Sequence, residues 1–364
     1  MSKAHHGRKS RIVMTTAGEV LFSRVYLRCV TCQQGGYPAD ERLGICGRYS
    51  VNVQRLAALA ASSWSYDLSS ERLAEFCGLA LSDNTIRQIA QQQGAAMNTW
   101  LNTAPEACRE FREADGEIEF TTDGTSVNTV GGWREVKLGM FSKREVGEAA
   151  PIESWASRDL PAPTTRVAFA AIEGSARFGK RWTPWRRRLG ILDSSHVTVL
   201  ADGAKWIWEE QLNHLRGAEG VLDIFHAVEH LASTARTLYG EGTERTAEWL
   251  EQGRQALLND GWQGITQLIS QTRREVRSVT KRASLDGLRN YLSHHVAHLH
   301  YRDRLRRGLS IGSGSIEGAC KHLVGRRLKQ SGGRWRVRRL NRMAGLCSVM
   351  YSHLWKTYWD TAAA

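Results

Sequence analysis

Three acids in this sequence stand where a carboxylate can do chemistry. Asp123 closes the β-rich stretch EIEFTTDGTSV, Asp202 follows the apolar run HVTVLADG, and Glu317 lies in GSGSIEGACKHLVGRRLKQSGGRWRVRRL. Between Gly308 and Leu340, Glu317 is the lone acid among eight Lys and Arg. If that stretch only held polyanionic phosphate, a carboxylate would weaken it by like-charge repulsion. If it brings phosphate to a metal ion, a carboxylate is what the chemistry needs. A strand end or helix start holds a carboxylate rigidly yet leaves it accessible, which suits oxygen-loving cations. Mg²⁺ or Mn²⁺ takes one or two protein carboxylates and fills its other positions with water and substrate phosphate. Two such ions about 4 Å apart activate a hydroxyl nucleophile and stabilise the departing oxygen of an in-line displacement. The residue types therefore point to metal-dependent phosphodiester chemistry at Asp123, Asp202 and Glu317. The alternative is that the two Asp-Gly pairs are ordinary turns.

Charge supports a phosphate-bearing partner. The chain has 364 residues, with 50 Lys and Arg against 37 Asp and Glu. From Tyr301 onward there are fourteen basic residues and three acids, so the excess is concentrated at one end. A concentrated basic face is the electrostatic footprint of nucleic-acid binding, against the simpler readings of a solvated basic surface or a membrane-lipid contact. Arg dominates over Lys here, which suits phosphate; Arg326, Arg327, Lys329, Arg334 and Arg336 are the expected backbone contacts, with Trp335 as a base-stacking candidate. Apolar residues at 41% and charged residues at 24% describe an ordinary globular chain. No apolar run approaches the ~18 residues of a membrane span, and MSKAHHGRKSRIV has no apolar stretch of a secretory signal. The odd count of seven cysteines fits reduced thiols, and the expected location is cytoplasmic.

The elements that must position these residues follow from periodicity. Residues 1–50 read as a small strand module, GEVLFSRVYLRC, ending in Cys29-Val-Thr-Cys32. Two thiolates hold half of a zinc tetrahedron, with Cys46, His5 and His6 as further ligand candidates and ordinary free cysteines as the alternative. Residues 51–110 read as helices, two of them joined around Gly78 in a helix-turn-helix-like pair that presents Asn84, Arg87 and Gln91 outward. Residues 115–226 alternate strand and helix: a strand over 117–127 with a turn at Asp123, strands at 133–143 and 165–172, a short polar helix over 175–189, and strands before Asp202 and Asp223. Residues 227–305 read as an all-helical insertion. Residues 306–364 carry a polar loop, the helix of Glu317 and the basic C-terminal helices. The fold class expected is α/β: a mixed sheet with flanking helices.

The strings IEFTTDGTSV, VTVLADGAKWIW, VLDIFHAVEHL and GSGSIEGACKHLVGRRLKQSGGRW, in that order, resemble the ISKra-type transposases of bacterial insertion sequences. RVYLRCVTCQQGGYPADERLG and SWSYDLSSERLAEFCGLALSDNTI extend the resemblance over almost the whole chain. It implies a DDE transposase with an RNase H-like core whose triad is Asp123, Asp202 and Glu317, separated by 79 and 115 residues. The long second gap implies the helical insertion. Mutator-type transposases, more distant relatives, carry Cys-x-x-His soon after the second Asp; here Asp223-Ile-Phe-His226 stands there, an auxiliary pair that shapes the site or contacts DNA. Asp223 as a metal ligand in place of a triad member is the rival assignment. The resemblance further implies an additional Cys-x-x-Cys upstream of Cys29, which this sequence lacks, so the zinc module is expected to be incomplete. Expected partners are double-stranded DNA, as element ends and target, and further copies of the chain, a homodimer or larger, at the bacterial nucleoid. A transposase-derived protein that binds DNA without cutting it is the alternative.

Overall fold

The computed structural model describes residues 3–45, 47–192 and 195–363. The chain opens as a two-stranded ribbon, β1 (Lys3–Thr15) antiparallel to β2 (Gly18–Cys29), with the short β3 (Gly35–Gly36) on its edge. Asp40 pins the following turn back onto the ribbon by pairing with Arg11 and Arg24 at 3.0 and 2.7 Å. Three helices follow, Val51–Ser63, Tyr66–Cys77 and Asp83–Thr103. Ser50 and Ser82 cap the first and third by accepting from Val53 and Thr85 amides. Gly78 ends the second in the left-handed conformation at φ 62°.

The central sheet is built from β4 (Glu117–Thr129), β5 (Gly132–Arg144), β6 (Thr165–Ala171), β7 (Val197–Ala201) and β8 (Glu219–Leu222). Its spatial order is β6-β5-β4-β7-β8; β4, β5 and β6 run antiparallel in a meander, and β7 and β8 join parallel to β4. The sequence of β7, VTVLA, is buried throughout, as a strand covered on both faces must be. β4 does not stop at Asp123: it continues to Thr129 because β5 pairs with it all the way, Asp123 opposite Leu138. The Glu135 carboxylate folds over Gly124, in the space a Cβ would take. The segment expected as a polar helix over 175–189 is two short helices, Ser175–Gly179 and Trp182–Arg188. Phe178, Trp182 and Trp185 are buried there, and the run Arg186–Arg188 disguised that apolar face.

Two apolar cores result. One joins the N-terminal helices, the sheet and the C-terminal helices, from Val53 and Met97 through Phe120 and Val199 to Met343. The helices of residues 51–103 thus share the sheet's core. The third of them packs against the helix Val337–Tyr351 nearly backbone to backbone: a Cβ on Gly94 would lie 2.3 Å from the Arg342 carbonyl, and one on Gly345 3.1 Å from the Gly94 carbonyl. The second core belongs to the helical insertion, Ile224–Tyr239, Glu244–Glu275, Val279–Ser293 and Tyr301–Arg306, closed over Val221 and Leu222 of β8. The long helix kinks at Gly261, whose φ of 52° and close approach to the Leu299 carbonyl both exclude a side chain. Arg304, 1% exposed, locks insertion to sheet through Glu219 at 2.6 Å, the Ser310 carbonyl at 2.7 Å and Thr198 Oγ1 at 3.3 Å. Among the described residues no helix is long and apolar enough to cross a membrane.

Candidate active site

Register brings the first two acids together. β4 and β7 pair Thr121 with Leu200, so two residues further the same register sets Asp123 beside Asp202. β7 and β8 pair Ala201 with Leu222, and one residue further Asp202 stands beside Asp223. Neighbouring strands are ~4.8 Å apart, so three aspartates form a row, Asp123 inside β4 and Asp202 and Asp223 just past the ends of β7 and β8. Asp123 is half-buried, Asp202 half-buried and Asp223 fully buried.

Asp123 Oδ1 accepts from the Gly124 amide at 2.6 Å, and Oδ2 takes the Cys320 thiol at 3.6 Å. Burial raises its pKa, and the nearby Asp202 charge adds to the shift; the Gly124 amide and His226 oppose it. Two carboxylates are therefore pressed together in a partly dry site with little cationic relief. Asp202 Oδ1 accepts from the Ala204 amide at 2.9 Å, and its carbonyl accepts from Trp208 Nε1 at 3.0 Å. Gly203 lies against Tyr291 of the insertion, where a Cβ would come within 2.5 Å of the phenol oxygen. Burial and the Asp202 and Asp223 charges push the Tyr291 hydroxyl well above its ordinary value, so it stays a neutral donor.

Glu317 lies on the short helix Gly314–Ala319, which packs on β4 and β5 and continues as a π-helix over Cys320–Lys329. Cys320 is one turn past Glu317 and bonds Asp123, so the third acid rides the element that touches the first. Burial and then the Asp123 charge push the Cys320 thiol up to about 12, with Glu317 adding more weakly. The Glu317 carboxylate itself is exposed, 4.0 Å from Lys321 Nζ. Among the described residues no three His, Cys, Asp or Glu side chains converge as a metal-holding group. Asp123, inside β4, and Asp202, just past β7, are neighbours; Glu317 is adjacent but turned outward.

Asp223 and His226 separate in role. Asp223 Oδ1 accepts from the Phe225 and His226 amides at 2.6 and 3.2 Å, starting the helix three residues before the expected Ala227. Its Oδ2 accepts from the Ser313 amide and hydroxyl, both at 2.5 Å. A carboxylate has about four acceptor positions, and all are used, which speaks against Asp223 as a metal ligand. It instead ties the segment that launches the Glu317 helix to the sheet. His226 is half-exposed, with Nδ1 3.3 Å from Glu229.

The basic segment divides differently from its sequence. Arg326 and Arg334 are exposed, and Lys329 reaches Thr125 Oγ1 on β4 at 2.5 Å, two residues past Asp123. Arg327 is buried, donates to the Ala61 carbonyl at 2.5 Å and lies between Tyr66 and Trp335. Trp335, 8% exposed, donates to the Leu328 carbonyl at 3.0 Å and so is core rather than a stacking platform. Gln91 is also buried, donating to the Arg339 carbonyl at 3.1 Å, because the third helix packs on the C-terminal helix. Asn84 and Arg87 face outward and bond each other. Arg87 and Arg336, distant in sequence, line one groove. The reading of the sequence missed Cys320 and Tyr291 at the acids and Arg338, Arg339 and Arg342 in that groove. Only for Cys320 was there a signal: its three-residue spacing from Glu317.

In the ribbon, the amides of Cys32 and Thr31 lower the Cys29 thiol to about 7, and Cys32 is exposed. His5 lies across the ribbon, opposite Leu27, and its Nδ1 accepts from the Gly7 amide; His6 is exposed. Cys46 lies outside the described residues. With a two-thiol set and no further partner among the described residues, a complete zinc site is not assembled. Comparison with known proteins adds no family: no family model matches this chain, and no curated protein matches it significantly.

Proposed function

We propose that this chain is a DDE transposase, cutting phosphodiester bonds at DNA ends and joining the resulting 3′-hydroxyls to target DNA. The observation that carries this reading is the register that sets Asp123 beside Asp202, with the Glu317 helix attached to Asp123 through Cys320. Support for an RNase H-like core comes from the strand order β6-β5-β4-β7-β8, three antiparallel strands followed by two parallel ones, with a helical insertion before the last acidic helix.

The oxygen donors and the poorly compensated charge of Asp123 and Asp202 fit a divalent cation, and these two residues would hold Mg²⁺ or Mn²⁺, with Glu317 as the third ligand. The cation, one or a pair, supplies charge neutralisation and activation of the attacking oxygen. The Glu317–Lys321 contact is exposed, and such pairs contribute at most about 1 kcal/mol, so the carboxylate is free to turn toward the pair. Asp223 holds the base of that helix, Cys320 orients Asp123, and Lys329 and Arg326 position the phosphate. Water attacks the end's phosphodiester first; the 3′-hydroxyl so released then attacks the target, with no covalent bond to the protein at any stage.

The test is nicking of a plasmid carrying the element's own flanking DNA, in Mg²⁺ and in Mn²⁺. Wild type should nick and join, and Asp123→Asn should do neither while binding the same DNA. Retained joining in Asp123→Asn would remove Asp123 from the reaction. The outward Glu317 favours a second reading, a transposase-derived protein that only occupies DNA; binding without nicking in either metal would support it.

A further inference from the structure

We infer that the groove between the helices Asp83–Thr103 and Val337–Tyr351 is a duplex-DNA recognition site, distinct from the row of acids. The groove, of about 580 Å³, is lined by Arg87, Arg336, Arg338, Arg339 and Arg342, and no acid lines it. Elsewhere the protein pairs its arginines: Arg144 with Glu119, Arg181 with Glu173, Arg273 with Asp286, Arg304 with Glu219. The guanidiniums of Arg336, Arg338, Arg339 and Arg342 have no ion pair or side-chain hydrogen bond among the described residues, and the first three are exposed. Like charges three and four residues apart on a helix destabilise it. A bound polyanion reverses that sign, and the guanidinium fork matches phosphate in two-point geometry.

The opposite wall says which polyanion. Gln88 and Gln92 line it, exposed and four residues apart, and Asn84, also exposed, continues their stripe beyond the groove toward the start of the Asp83–Thr103 helix. Amide side chains near a helix N-terminus are the type that reads base edges in the major groove, while neighbouring arginines hold the flanking phosphates. The two walls are held close together, because the helices meet at Gly94, where a Cβ would lie 2.3 Å from the Arg342 carbonyl. The site assigns Asn84, Gln88 and Gln92 to base edges and Arg336, Arg338 and Arg342 to phosphate. This inference rests on the nucleic-acid part of the proposed function but not on cleavage.

Binding of the full chain to a fluorescent 30-base-pair duplex of the element's flanking DNA is measured in EDTA over a salt series. Each phosphate contact contributes about one unit to the slope of log K against log salt, so Arg338→Ala/Arg342→Ala should lower the slope by about 2 and the affinity at least tenfold. Arg302→Ala/Arg306→Ala, which removes the same charge from the insertion, should leave the slope unchanged. Gln88→Ala should reduce the preference for flanking over unrelated duplex. If the Arg342 substitution disturbs folding, Arg336→Ala/Arg338→Ala, both exposed and without an ion pair among the described residues, gives the same reading. An unchanged slope in the groove variants, or an equal fall in the insertion control, overturns the assignment. So does equally tight, arginine-dependent binding of an RNA duplex or of polyglutamate. Groove variants that bind and nick like wild type defeat this inference alone; wild type that binds through the groove but never nicks defeats the cleavage reading alone.

Discussion

Asp223→Asn separates a structural aspartate from a metal ligand. Asp223 is fully buried and accepts four hydrogen bonds: two from the helix amides of Phe225 and His226, two from Ser313. Asparagine keeps one oxygen, so it can still cap the helix, but its amide nitrogen then faces the Ser313 amide, donor against donor. The Ser313 hydroxyl can turn to accept; the Ser313 N–H cannot. A bond to a charged acceptor is worth about 1.5–3 kcal/mol, and a buried unsatisfied donor costs a further 1–3 kcal/mol. Relief from burying a charge offsets part of this, leaving a net loss of about 3 kcal/mol. That is a large share of the 5–15 kcal/mol typical of a folded protein. Urea unfolding in EDTA, with and without added Mn²⁺, reads it. The expected result is a lower midpoint for Asp223→Asn in EDTA, with the stabilisation by Mn²⁺ retained. If Asp223 were instead a metal ligand, removing its charge from a row of three aspartates would leave the metal-free protein as stable or more so, and the Mn²⁺ effect would vanish. That outcome would refute the reasoning.

Other expectations follow from the same structure. Asp123 has a raised folded pKa, so its contribution to stability is full at low pH and is lost as pH rises from the ordinary carboxylate value of 3.8 through the raised one; Asp123→Asn should therefore gain on wild type in urea unfolding as pH rises above 3.8, with no gain refuting the burial argument. Burial and neighbouring imidazoles lower His295 and His298 to about 4 at the contact between insertion and sheet, where His298 stacks on Trp208. Their contribution is present above about 6.5 and lost as pH falls toward about 4, so His298→Gln should flatten the acid limb of the unfolding curve. Gly94→Ala should destabilise by roughly 1–3 kcal/mol, since its Cβ meets the Arg342 backbone, and calorimetry should show the change. Arg304→Ala should cost about 1.5–3 kcal/mol, since Glu219 loses a charged partner but keeps His300 and His196, seen as early loss of the insertion's hydrogen-exchange protection.

Much of the site was legible before any coordinates because its parts are local. The apolar runs before Asp202 and Asp223 mark strand ends whether or not their partners are known, and Ser50, Ser82 and Gly78 mark helix ends by their own chemistry. Asp123 misled because Asp-Gly is a turn signal by propensity; the facing strand β5 overrode it by pairing through Leu138 and Lys137. Trp335 and Arg327 misled because a basic, aromatic stretch looks solvent-facing until the carbonyls of Leu328 and Ala61 arrive to receive them.

By itself the sequence determined the alternation of strands and helices, the helical insertion and the candidate acids, since propensity, periodicity and capping act within a few residues. Only the tertiary structure decided that Asp123 meets Asp202 side by side, that Asp223 is spent on Ser313, and that arginines from the C-terminal helix face Arg87 across a groove. Those outcomes depend on strand register and helix packing between segments up to hundreds of residues apart. Such contacts form where whole faces fit, and no short stretch of chain carries that information.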